Sequence, residues 1–385
     1  MGSIEISQGD VPPPDTIAVA PSWQGPGPAA YDLRTDTITT PTLSMLQAIA
    51  QSSLGDDVYQ EDATTTAFEA SMAALTGKPA AMLALSGTMG NQLALRSLLT
   101  QPPHAILCHH QSHILVAEAG GCATLSQAHM QAVRPRHGSG LYLTLEDVER
   151  EAVVSSNIHV APTRVISLEV TLGGSITPLA EVRRIAAFAR RHGIKMHLDG
   201  ARIWEAVAAG AGSLPDYLEC FDTAQMCFSK GLAAPMGSVI VGPAAVLDHC
   251  RWVRKSIGGG IRQAGIIAAA ARVAVEENFL AGAGAKLRET HRKAKMVEQM
   301  WTRRGGTLVR PAETNMAVLD LVESGIEVAD FVRVGAEEGL KLMGGRIVVH
   351  LQVVDEAFAR LERVFDRVMA AKGKDVVAQQ SVYGY

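Results

Sequence analysis

The sequence predicts an α/β protein: a large domain built on a mostly parallel sheet, followed by a smaller α+β domain. Three observations point there. Residues 164–202 read as strand, helix, strand at crossover spacing. Two more apolar runs with strand character, 224–228 and 237–241, follow closely. Near residue 280 the pattern changes: Gly282 and Gly284 lead into a charged helix from Lys286 and a new set of strands and helices. The chain has 385 residues, 47% hydrophobic and 19% charged, so it can bury two cores and is too apolar to stay disordered.

The elements follow in order. Residues 1–30 are rich in Pro and Gly and read as an extended arm. An apolar helix pattern covers 43–51 and is broken by Gly55-Asp56-Asp57-Val58-Tyr59. A second helix covers 64–76 and stops at Gly77. Residues 80–85 form a short strand, Ser86-Gly87-Thr88 turns the chain, and 89–99 is helical. After the buried strand at 165–170, Gly173-Gly174 makes a turn. Thr177 is expected to cap the next helix, with Pro178 in its first position. Val182, Ile185, Ala186 and Ala189 recur at helical spacing, Gly193 ends the helix, and 194–198 returns as a strand parallel to the first. Residues 263–277 are apolar nearly all round, hence a buried helix. The last unit holds strands at 307–310, 316–321 and 346–351, with helices at 328–338 and 355–371. The expected division is 1–30 arm, 31–280 large domain and 281–385 small domain.

Composition excludes several classes. A formal charge of −4 with no dense Lys/Arg block gives no footprint for nucleic acid. The five cysteines are odd in number and form no CxxC, against a disulfide framework or a metal site and for a reducing, cytoplasmic setting. The N-terminus lacks the basic and apolar regions of a signal peptide, and no run of 18 apolar residues predicts a membrane span.

Chemistry concentrates at two strand ends. Asp199 follows the run 194–198, and Lys230 follows 224–228. Ligands of open parallel sheets sit beyond such ends. An amine and a carboxylate at neighbouring strand ends are what pyridoxal 5′-phosphate needs: the lysine for a Schiff base, the acid to keep the pyridine nitrogen protonated. Ser229 and Gly231 leave room around Lys230. Alternatives stay open, since an isolated Ser-Lys-Gly is most often a surface loop and Asp199 could simply pair with Arg202. Gly87-Thr88 at a helix start offers amides and a hydroxyl to a phosphate, or is only a cap. Arg262, after Gly258-Gly259-Gly260, could reach that phosphate, also from a neighbouring subunit, or face solvent. His113 could stack on a pyridine ring, and His159 could exchange protons near neutral pH. Arg346 could clamp a substrate carboxylate through two parallel hydrogen bonds.

Taken in order, the motifs resemble the threonine aldolase family: Asp32-Leu33-Arg34-Thr35-Asp36-Thr37, Gly55-Asp56-Asp57-Val58-Tyr59, Ser86-Gly87-Thr88, His113 with Glu118-Ala119-Gly120-Gly121, Ile158-His159, Leu168-Glu169, His197-Leu198-Asp199-Gly200-Ala201-Arg202, Ser229-Lys230-Gly231 and Gly258-Gly259-Gly260-Ile261-Arg262-Gln263. The resemblance runs from about residue 31 to 365. It implies the fold type I architecture of pyridoxal phosphate enzymes, a three-layer large domain with a mostly parallel seven-stranded sheet. It implies Lys230 as the Schiff-base lysine, Asp199 at the pyridine nitrogen and His113 on the ring. Gly87, Thr88 and Arg262 would hold the phosphate, and Thr35, Arg202 and Arg346 would surround the substrate carboxylate and cofactor. His159 would lie near a substrate β-hydroxyl and Tyr59 near the pocket mouth. The family's members are dimers or tetramers that share active sites, acting on small amino acids.

The chain departs from the family at Val170 (usually Asn), Val349 (usually Thr), Gln352 (usually Asp) and Trp204-Glu205 (commonly Phe or Leu, then Asn). Such changes near the expected pocket bear on the substrate. One reading is retro-aldol cleavage of threonine or allo-threonine to glycine and acetaldehyde. The alternative is alanine racemization, which some eukaryotic members perform to supply D-alanine for peptide biosynthesis; Val170 and Val349 fit a lost need to recognise a β-hydroxyl. β-Elimination is a third reading. A cofactor-free scaffold is a fourth, disfavoured by Lys230 and Asp199 occurring together.

Overall fold

Alternation along β4 and β5 explains why the large unit has three layers. The computed structural model describes Trp23, Gly25 and residues 27–371, so most of the expected arm lies outside the described residues. Seven strands form one sheet: β1 (Ala80–Ala84), β2 (Ala105–His109), β3 (His129–Val133), β4 (Thr163–Glu169), β5 (Lys195–Asp199), β6 (Thr223–Cys227) and β7 (Ser238–Gly242). Their order is β1-β7-β6-β5-β4-β2-β3. The β3-β2-β4-β5-β6 run is parallel, and β7 is antiparallel to both β6 and β1. In β5, Met196 and Leu198 share a core with Val182 and Ile185 of helix Leu179–Arg191. His197 and Asp199 point to the other face, toward helix Gly87–Leu98.

Two details differ from expectation. Pro178, not Thr177, is the N-cap of helix Leu179–Arg191, and no side chain caps it; the Thr177 carbonyl instead accepts the buried Tyr217 hydroxyl at 3.0 Å. The apolar helix Gly265–Val275 continues into a wider turn, Glu276–Leu280, before the chain changes unit.

The second sheet is antiparallel, in the order β10 (Arg346–Val348), β9 (Met316–Asp320), β8 (Thr307–Arg310). Its own core centres on Trp301, Phe331 and Phe365, whose rings meet edge-on or stacked at 5.0–6.3 Å between centroids. Tyr31–Leu33, grouped by the sequence with the large unit, pairs here instead: Lys341 N donates to the Tyr31 carbonyl and Val348 N to the Leu33 carbonyl. Helix Ala285–Thr302 serves both cores, with Leu287 in the first and Ala294, Val297 and Trp301 in the second. All five cysteines are buried and unpaired. Among the described residues no helix is long and apolar enough to cross a membrane.

Candidate active site

The carboxyl ends of β4, β5 and β6 meet in register, Glu169 beside Asp199 and Asp199 beside Gln225. Lys230 follows β6 in a turn held by two bonds to its carbonyl, from Ala233 N (2.9 Å) and Thr39 Oγ1 (3.0 Å). Its amine contacts Cys227 Sγ at 3.1 Å. Among the described residues no carboxylate forms an ion pair with it. Helix Gly87–Leu98 starts directly opposite, its Ser86 cap accepting from Met89 N at 3.1 Å. A Cβ on Gly87 would come within 2.6 Å of Cys227 Sγ, and one on Gly90 within 2.5 Å of Gln225 Cγ. Only glycine lets the helix start press this closely on β6. The amides of Gly87 and Thr88 have no intrahelical acceptor, and Gly87 and the Lys230 amine both lie against Cys227 Sγ.

Asp199 sits at the centre of a buried network. Asn91 Nδ2 donates to Asp199 Oδ2 (2.8 Å) and Glu118 Oε1 (2.9 Å), and Ala201 N donates to Asp199 Oδ1 (3.1 Å). The Gln225 amide, oriented with its nitrogen toward Asp199 Oδ1 (3.2 Å), accepts from the Met226 and Cys227 amides on its oxygen. Asn91 Oδ1 faces His197 Nε2 at 3.0 Å and Thr223 Oγ1 faces His197 Nδ1 at 2.9 Å. Because Asn91 Oδ1 only accepts, His197 Nε2 carries its proton. Burial pushes His197 down to about 4, so it is neutral near pH 7. The outer carboxylate, Glu118, accepts from Gln92 (2.6 Å) and contacts His113 Nδ1 at 2.8 Å. That bond raises the His113 pKa, against desolvation and with help from Asp199. Ligand atoms of His113, Glu118 and Asp199 lie within 4.8 Å of one another. The Asn91 N–H, however, already bridges the two carboxylates where a cation would sit.

Glu169 completes this rim. Its Oε2 accepts the His113 amide at 2.9 Å. Burial, then the Asp199 charge, raise Glu169 to about 8, so it holds a proton near neutrality.

On the small-domain side, Arg202 makes a bidentate pair with Asp36 (2.8 and 2.6 Å). The partner is therefore Asp36 rather than Asp199. Thr35 caps the turn Asp36–Ile38, and Arg346 at the start of β10 donates to the Arg34 carbonyl at 3.3 Å. Enclosure, then the nearby Arg202 charge, lower the Arg346 pKa. Arg346 is thus close enough to Arg202 for their charges to interact, and Thr35 adjoins Asp36, the partner of Arg202. Burial opposes ionisation of Asp36, but Arg202 outweighs it, Lys230 and Asn315 add to it, and the pKa falls to about 2. A depressed carboxylate stabilises the fold above its unfolded value and loses that contribution as pH falls through the folded one. Urea unfolding is expected to show about 2 kcal/mol less stability at pH 2 than at pH 5 from this group. Asp36→Asn should remove that part of the slope, and an unchanged slope would refute the assignment.

The Beta-eliminating lyase family model matches residues 32–324. The chain belongs to the beta-eliminating lyase family. This lyase is 51% identical over 349 residues to "Aldolase vrtJ" of Penicillium aethiopicum (91% of this chain, 89% of that one). It is 44% identical to "Alanine racemase TOXG" of Cochliobolus carbonum (91% and 90% covered) and 42% identical to a "Low-specificity L-threonine aldolase" of Candida albicans (86% and 88%). Its fold matches the solved Leishmania major threonine aldolase with a TM-score of 0.74 at 19% identity, covering 88% and 99%. The fold is that of the fold type I pyridoxal phosphate enzymes.

Not every expected site residue of the lyase reaches this centre. His159 precedes β4 on an exposed loop, at the opposite end of a seven-residue strand from Glu169, about 20 Å away at strand rise. It cannot serve its own chain's site. Tyr59 is 71% exposed. Arg262 pairs with Asp56 at 2.8 Å rather than facing the cradle, although its glycine loop borders Met89 of the cradle helix. Val170 lies in the large core and Val349 in the small one. Gln352 bonds both the backbone and the hydroxyl of Thr40 (2.8–2.9 Å). Val170 and Val349 are thus packed into cores, and Gln352 is tied to Thr40. Sequence reasoning passed over Asn91 and Gln225, and quoted Glu169 within a motif without giving it a role. For Asn91 a signal existed, since it lies one helical turn beyond Gly87 and so on the same helix face.

Proposed function

We propose that this lyase holds pyridoxal 5′-phosphate and cleaves the Cα–Cβ bond of threonine or allo-threonine, giving glycine and acetaldehyde. The observation that carries the reading is that Asp199 and Lys230 lie at the same end of one sheet, Asp199 closing β5 beside Gln225 of β6 and Lys230 just past β6 with its amine on Cys227 Sγ. The residues suit the cofactor: a helix start that its glycines let close onto β6, an acid with three donors fixing it, and an amine without an acidic partner among the described residues. Bound there, the cofactor supplies an electron sink for the pair left when a bond to Cα breaks. Gly87 and Thr88 would hold its phosphate, and Asp199 would keep its ring nitrogen protonated. His113, oriented by Glu118, would lie against the ring and take the β-hydroxyl proton. Arg202 and Arg346 orient the substrate carboxylate with Thr35.

Alanine racemization is the second reading, favoured by the TOXG relative. Incubation with L-threonine and with L-alanine, followed by chiral chromatography, separates them. Glycine and acetaldehyde are the expected products, and D-alanine formed faster than glycine would overturn the aldolase.

Two further expectations belong to this reading. The unpaired thiols fit a reducing compartment such as the cytoplasm. A homodimer or homotetramer would cover Trp252 (79% exposed) and the loop where Ile158 is 93% exposed beside His159. Only from that loop of another copy would His159 enter a site. Light scattering is expected to give two or four chains; an active monomer would refute it.

A further inference from the structure

Glu205 stands where the family commonly has Asn, and the mechanism above does not use it. It is 2% exposed, a buried carboxylate on helix Ile203–Ala208, just past Arg202. Its Oε2 meets His291 Nε2 at 2.6 Å. Its Oε1 lies against the residue after Lys230, so a Cβ on Gly231 would overlap it. The charged groups facing Glu205 are His291 on helix Ala285–Thr302, Arg202 beside its own helix, and Asp36 on the segment before the first helix. The same turn is tied on its other side by Thr39, which donates both to the Lys230 carbonyl and to the Asp36 carbonyl. His291 lies between Leu287, in the large core, and Ala294, in the small one. Burying a carboxylate is costly even with one partner, and a smaller amide would carry no charge into this position. Its placement therefore implies use.

We propose that Glu205, oriented by His291, is a positioning residue that braces the Lys230–Gly231 turn and places a buried carboxylate directly behind it. The inference rests on the cofactor reading of Lys230. A negative charge behind the turn favours a protonated nitrogen at Lys230. Burial already raises the Glu205 pKa and the His291 bond opposes that rise, so removing His291 favours a neutral Glu205. Loss of either partner should thus act in the same direction.

The test is a pH titration of the visible absorbance band after adding pyridoxal phosphate to wild type, Glu205→Gln and His291→Asn. Both variants are expected to bind the cofactor and to move the midpoint down by about 0.5 unit or more. Turnover of threonine should fall about tenfold with KM within twofold. His291 is partly exposed, so its variant keeps the test open should Glu205→Gln fail to fold. Midpoints within 0.1 unit of wild type in the folded variants would overturn the dyad while leaving the cofactor site standing. No visible band in wild type would overturn the site reading and the dyad with it.

Discussion

Lys230→Ala is expected to fold normally and to lose threonine cleavage by at least about 10³-fold. Among the described residues the amine's one hydrogen bond is to Cys227 Sγ, so its removal breaks no ion pair. The turn itself is held by backbone and Thr39 bonds to the Lys230 carbonyl, which alanine retains. The variant's melting temperature should therefore stay within a few degrees of wild type, while the visible band of the cofactor disappears. Turnover within tenfold of wild type would show that another group carries the chemistry.

Asp199→Asn is expected to lower kcat by about 10²–10³-fold, the scale of a lost charge that a site aims at its reacting group. The replacement is nearly isosteric but has one acceptor where the aspartate has two. Asn91, Ala201 and Gln225 all donate to those oxygens, so at least one donor is left unpaired. That costs about 1–3 kcal/mol of stability. The cofactor would bind more weakly, as seen in its dissociation during gel filtration. Retention of full turnover with normal cofactor affinity would refute a role for Asp199 at the ring nitrogen.

Much of the architecture was legible because its signals are local. The crossover from β4 to β5 reads directly from an apolar run, a helical repeat and a second apolar run. The placement of Lys230 and Asp199 follows, because both sit just past strand ends. β2 and β3 were not legible. β2 is short and follows Pro102-Pro103, and β3 is an edge strand whose residues are mostly exposed or half-buried, so neither shows a strong period. The cap at Thr177 was misplaced by one residue, since a carbonyl contact from Tyr217 decided the entry of that helix.

The sequence by itself determined the family motifs, the strand ends that carry an amine and an acid, and the glycines at the cradle. Only the tertiary structure decided which partner each charge takes. Arg202 pairs with Asp36 across 166 positions, and Asn91 joins Asp199 across 108. It also removed His159 from its own chain's centre and placed Val170 and Val349 in cores. The physical reason is range: strand, helix and turn preferences act within a few residues, whereas hydrogen-bond partners and burial depend on sheet order and packing.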